Sequence, residues 1–114
     1  MIRKSPIRAV ALGLLFLAEA GFCAPAQSAN VTISIQDHKF DPPEPHAPAN
    51  QPITLVVKNL DQTPAEFESK QLKVEKMVIG GGEITLQIRP MPPGRYRFFD
   101  DYHQDDAAGF LVVE

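Results

Sequence analysis

Two short stretches of this 114-residue chain concentrate the side chains best suited to chemistry. In Ala65-Glu66-Phe67-Glu68-Ser69 the glutamates lie two residues apart, so on any strand they share one face while Phe67 takes the other. In Asp100-Asp101-Tyr102-His103 two carboxylates and an imidazole follow directly on an alternating apolar segment. Together these are anionic oxygen donors with one ring nitrogen, a set able to hold a metal cation. Each part has a plainer reading as well. Glutamates are common on solvated edge strands, where charge guards against aggregation, and a single histidine in a polar loop is ordinarily just hydrated. Asp105 and Asp106 read as loop solvation, and His38 and His46 lie near proline-rich loops without acidic neighbours at ligand spacing. No nucleophile with a base, phosphate loop or paired-cysteine motif is present.

The elements that must position these groups are strands. Val31, Ile33 and Ile35 alternate with polar residues, as do Ile53, Leu55 and Val57, then Ile84, Leu86 and Ile88, then Tyr96 and Phe98. Leu111-Val112-Val113 closes the chain as an apolar run. Turn formers separate them at Asp41-Pro42-Pro43, Pro48-Ala49-Asn50, Asn59-Leu60-Asp61, Gly80-Gly81-Gly82 and Pro92-Pro93-Gly94. This pattern predicts an all-β fold, an antiparallel Greek-key β-sandwich or barrel. Pro93-Gly94-Arg95-Tyr96-Arg97-Phe98 has the form of a tyrosine corner, in which a Tyr hydroxyl bonds nearby backbone. Continuing the alternation of Tyr96 and Phe98 places Asp100 at the mouth of the core, with Asp101 and His103 in the loop above it.

The first residues read as an export signal. Arg3, Lys4 and Arg8 precede an apolar run from Ala9 to Ala18, too short to span a bilayer, and Ala24-Pro25-Ala26 fits a cleavage site. Residues 1–26 are therefore expected to be a cleaved signal peptide and residues 27–114 one domain, located in the bacterial periplasm and not embedded in a membrane. Cys23, the only cysteine, falls in the segment removed, so the mature chain is expected to have no thiol. Setting aside Arg3, Lys4, Arg8 and Glu19 from 11 basic and 14 acidic residues leaves 8 and 13, a net charge near −5. Such acidity argues against nucleic acid and anionic membranes as partners.

From Pro93-Gly94 through Tyr96, Phe98 and His103 to Gly109-Phe110-Leu111-Val112-Val113, the chain resembles the cupredoxins. In that family a strand entered from a Pro-Gly turn ends in a Cys-x-x-His copper loop, followed by Met and a Gly-led final strand. Asn59 likewise falls where the family has an Asn before its first histidine ligand. Against that frame Asp100 stands for the thiolate, Glu66 for about the first histidine, and Ala108 or Phe110 near the axial methionine; His103 alone is kept. A blue-copper site needs a Cys sulfur with two His, so no type 1 electron-transfer site is expected.

Glu66-Phe67-Glu68-Ser69, Leu72-Lys73-Val74-Glu75-Lys76, Phe98-Phe99-Asp100-Asp101 with His103, and Gly109 with Leu111-Val112-Val113 are similar to the EfeO-type cupredoxin-like domains. These begin the periplasmic EfeO iron-uptake component and also occur as free-standing FtrB-type proteins encoded with ferrous-iron permeases. The free-standing kind is the one resembled, since no long helical domain follows. The resemblance implies iron as bound ion, with or without copper, and a part in oxidising ferrous iron for a permease. It implies Glu66, Glu68, Glu75, Asp100, Asp101 and His103 as metal ligands, and the permease and other components of an iron-uptake system as partners. Hard carboxylate oxygens suit iron better than cuprous copper, and their charge favours the ferric state. No electron acceptor is legible in the sequence. Two other readings use the same sandwich: a copper chaperone or resistance protein, and an interaction module without metal.

Overall fold

Every period-two segment becomes a strand with its apolar residues on one side. The computed structural model describes residues 28–105 and 107–114; the expected signal peptide and its cleavage point, and Asp106, lie outside the described residues. Strand β1 (Ala29–Gln36) buries Val31, Ile33 and Ile35. A two-residue turn leads to β2 (Lys39–Asp41), and β3 (His46–Ala47) follows. Strand β4 (Ile53–Asn59) buries Ile53, Leu55 and Val57 beside them. Next come β5 (Ala65–Ser69), β6 (Val74–Val78), β7 (Glu83–Ile88), β8 (Gly94–Asp100), a 3-10 turn (Asp101–His103) and β9 (Ala108–Val113).

Two sheets result, one in the order β2-β1-β4-β7 and the other β3-β9-β8-β5-β6. They are mixed rather than purely antiparallel, which corrects the expectation from the sequence. β1 runs parallel to β4, and β3 parallel to β9. The reason is the excursion through β3: the chain leaves the first sheet, touches the edge of the second, and returns beside β1 in the same direction.

Three phenylalanines join the sheets. Phe40 meets Phe67 and Phe98 edge-on, at 5.9 and 4.9 Å between centroids, while Phe67 and Phe98 stack at 5.3 Å. These geometries suit aromatic quadrupoles and add to the burial of three large side chains. Phe98 lies over Gly109, its partner on β9. A Cβ at Gly109 would sit 2.7 Å from that ring and 2.4 Å from the Pro43 carbonyl, so only glycine fits. The tyrosine corner is present, Tyr96 donating its hydroxyl to the Pro92 carbonyl at 2.6 Å.

The loops at one end of the sandwich are tied to one another by side chains. Buried Asn59 donates to the carbonyls of Thr63, Val78 and Ile79 and accepts from the Asp61 amide, fixing the β4–β5 connection against the end of β6. The Asp61 carboxylate in turn accepts the amides of Asp37 and His38 at 2.7 and 3.0 Å. Those two residues form the β1–β2 turn with φ of 53° and 59°, the left-handed pair of a type I′ hairpin.

Candidate metal centre

Strand parity decides which face each carboxylate occupies. Phe67 is buried in the core, so Glu66 and Glu68 face outward on β5, as their spacing predicts. Glu75 stands directly opposite Glu68 on the edge strand β6, and Phe99 opposite Glu68 on β8. Asp101, at the start of the 3-10 turn, joins them. Ligand oxygens of Glu66, Glu68 and Asp101 all lie within 4.8 Å of one another.

Three carboxylates so close repel one another. The Glu66 carboxyl is raised above the ordinary glutamate range, first by partial desolvation and then by the charges of Glu75 and Asp101. Among the described residues none of these four carboxylates has a Lys or Arg within ion-pair distance. A depression of about 340 Å³ extends from Glu68 and Asp101 toward Lys70 and Arg97, with Arg97 lying over the Phe99 ring at 4.8 Å. The outer face is open to an incoming ion.

Asp100 points the other way. It pairs with Phe67, shares the inner side, and is only 1% exposed. Its carboxylate accepts three hydrogen bonds: from the Glu66 amide at 2.9 Å, the Tyr102 amide at 3.0 Å, and Nδ1 of His103 at 2.8 Å. It therefore caps the 3-10 turn, ties that turn to β5, and orients the His103 ring with Nε2 left free. The His103 ring stacks on His38, their centroids 3.9 Å apart. Asp61 stands behind His38, with Oδ2 at 3.7 Å from its Nδ1. The backbone bonds it accepts, above all from His38, hold the Asp61 carboxyl below the ordinary range.

The six residues expected as ligands thus fall into two groups. Glu66, Glu68 and Asp101 come together on the outer face with Glu75 alongside, whereas Asp100 and His103 form a hydrogen-bonded pair at the end of the sandwich. His38 and Asp61 belong with the second pair and were set aside or unnoticed in the sequence. One signal was available: Asp37-His38 lies between a strand and a short apolar continuation at hairpin spacing, which brings it to the same end as Asn59-Leu60-Asp61. His46, also set aside, pairs with Glu114 on the far side of the chain order.

This two-sheet arrangement, with the β8–β9 loop crossing one end, is that of a cupredoxin. The chain belongs to the cupredoxin-like domain family, whose model matches residues 7–113. It is 43% identical over 83 residues to an uncharacterized protein of Rickettsia prowazekii (strain Madrid E), a match covering 73% of this chain and 66% of that protein, so it spans just under two thirds of that relative's length. Among solved structures it resembles auracyanin A, a "blue" copper protein from Chloroflexus aurantiacus, with a TM-score of 0.65 at 15% identity over 77% of this chain and 100% of that one. A purple cupredoxin from Nitrosopumilus maritimus gives 0.57 at 16% identity over 75% and 99%. The metal-binding domain of the Streptococcus pneumoniae D39 Cu(I)-exporting P-type ATPase CopA gives 0.63 at 11% identity over 80% and 99%. At these identities the likeness is one of fold.

A type 1 copper ion does not fit the residues present. The described residues contain no cysteine, and the inward position at the end of β8 is Asp100, whose carboxylate already takes three donors. The outer carboxylates do fit a hard cation. They offer oxygen donors at ligand spacing, with no Lys or Arg among the described residues within ion-pair distance.

Proposed function

We propose that this is a periplasmic metal-binding protein of the EfeO and FtrB type, taking iron, with or without copper, in a bacterial ferrous-iron uptake system and assisting its oxidation for a permease. The observation that carries the reading is the convergence of Glu66, Glu68 and Asp101 within 4.8 Å, with Glu75 beside them and, among the described residues, no Lys or Arg within ion-pair distance of any of the four. Anionic oxygen donors hold ferric iron more tightly than ferrous, which lowers the potential of a bound ion. The protein's own part is to hold these oxygens on a rigid strand. Glu66 is fixed at its backbone by Asp100, and Glu68 by pairing with both neighbouring strands.

Metal analysis of protein isolated from the periplasm, followed by calorimetric titration with iron, tests this. Glu66→Gln with Glu68→Gln should weaken iron at least about tenfold, the usual loss for a metal-site partner. Asp105→Asn with Glu83→Gln removes two exposed charges elsewhere and should change affinity by less than about threefold. Equal losses in the two double variants would reduce the site to general acidity. A second reading, copper handling, draws support from the copper proteins among the structural neighbours. Copper without iron in the isolated protein would favour it.

A further inference from the structure

The depression on the outer sheet face is sorted by charge along the strands. Glu68 on β5 stands opposite Phe99 on β8, and Glu66 and Asp101 lie beyond that pair toward the end of the sandwich. Two residues the other way come Lys70, just past β5, and Arg97 on β8, one strand repeat of about 7 Å from Glu68 and Phe99. The hollow of about 340 Å³ joins the two levels, with Phe99 between them. Lys70 and Arg97 take part in no ion pair among the described residues, although Glu68 and Asp101 line the same hollow. Gln71 turns its side-chain oxygen to the Arg97 amide at 2.9 Å, which leaves its NH₂ group as a further donor at the cationic end. At the acidic end Gln104 donates to Asp101 Oδ1 at 2.5 Å and orients that carboxylate. Donors thus line one end and anionic oxygens the other, in a hollow of the size that holds small molecules.

We propose that the outer site takes iron as the chelate of a small hydroxycarboxylate, the metal meeting Glu66, Glu68 and Asp101 while a carboxylate of the chelator left free by the metal meets Lys70 and Arg97. This rests on the iron reading of the three acids and adds to it the chemical class of the species bound. A free anion entering the hollow meets the repulsion of the carboxylates, and a free cation leaves Lys70 and Arg97 without a counter-charge. An ion that carries its own carboxylate answers both ends. One oxygen from each acid fills half of an octahedral shell, and the hydroxyl and adjacent carboxylate of the chelator supply hard oxygens for the rest. Arg97 offers a planar fork matched to a carboxylate, and its place over the Phe99 ring at 4.8 Å reduces the freedom it loses on binding.

The test is equilibrium dialysis of the purified protein against ferric citrate in excess citrate, iron and citrate each carrying its own radioisotope, beside an anaerobic titration with ferrous ion and no chelator. The parent should retain iron and citrate together in equal amounts, and citrate without iron should not be retained. Lys70→Gln with Arg97→Gln should bind ferric citrate about tenfold more weakly, since two charge-assisted contacts are lost. The same double variant should hold ferrous ion within about threefold of the parent, and any change there should be a tightening, because two repelling cations are gone. Unchanged circular dichroism confirms its fold. Iron retained without citrate, citrate retained without iron, or parental ferric citrate affinity in the double variant would overturn the chelate while leaving the iron reading in place. An equal loss of ferrous ion and ferric citrate in that variant would also overturn it, since the two cations would then not discriminate the chelate. A parent that holds no ferrous ion would remove the iron reading itself, and the chelate with it.

Discussion

Replacing Asp100 tests how the site end is held together, and the expected cost can be built from its three bonds. In Asp100→Ala the Glu66 amide loses its acceptor at a part-buried position, which costs about 1–3 kcal/mol. The Tyr102 amide loses a cap worth about 1 kcal/mol, and the partly exposed His103 ring rehydrates at a cost of about 0.5–1 kcal/mol. The sum is roughly 2.5–5 kcal/mol. A domain of this size has a total stability of about 4–13 kcal/mol, so the variant should be badly weakened. Asp100→Asn keeps the shape and one oxygen able to serve both amides. Its NH₂ group then faces Nδ1 of His103, which must accept, moving the ring proton to Nε2. About 1 kcal/mol should be lost, with the tautomer reversed. Urea denaturation followed by circular dichroism gives the two costs, and long-range ¹H–¹⁵N spectra of the imidazole give the tautomer. Were Ala and Asn to destabilise equally, or Ala by less than about 1 kcal/mol, the carboxylate would not be the tie described here.

Three further perturbations read other parts of the molecule. In chelator, Glu66→Gln should raise the melting temperature at pH 7 and not at pH 4: a raised folded pKa means stability present below the ordinary glutamate range and lost as pH climbs through the higher folded value. A lower melting temperature for this variant at pH 7 would contradict the repulsion. For Asp61 the sign reverses, because its folded pKa is depressed and its contribution survives until pH falls below the ordinary aspartate range. Asp61→Ala should cost about 2 kcal/mol at pH 7 and nearly nothing in strong acid, with faster hydrogen exchange at Asp37 and His38; equal costs at both pH values would refute this. Gly109→Ala should cost about 1–3 kcal/mol in a thermal melt, since its methyl overlaps Pro43 and Phe98, and a neutral result would show that this contact relaxes freely.

The parts of this fold that could be read in the sequence are those governed by parity. Alternation alone placed Val31, Ile33, Ile35 and Phe98 inside, put Glu66 and Glu68 on one face with Phe67 on the other, and turned Asp100 toward the core. It could not give β2 and β3, whose three and two residues are too short to show a period, nor the parallel pairings that follow from β3 crossing to the other sheet. The same limit explains the treatment of the ligands as one set. Asp100 and Asp101 are adjacent in sequence but serve opposite faces, so proximity along the chain overstated proximity in space. His38 was missed because its neighbours, Asp61 and His103, are reached only through long-range packing of three loops.

The outward direction of Glu66, Glu68 and Asp101 bears on the kinetics of any ion they hold. The inner side at this level is occupied by the Ala65 methyl and the Asp100 carboxylate, both nearly inaccessible to solvent. An ion on the outer face instead keeps water in its coordination sphere, and those waters can be exchanged one at a time for the donors of an approaching protein. No strand has to separate for the ion to leave. Associative handover is well served, with the sandwich as a rigid tray and the exchange confined to its rim.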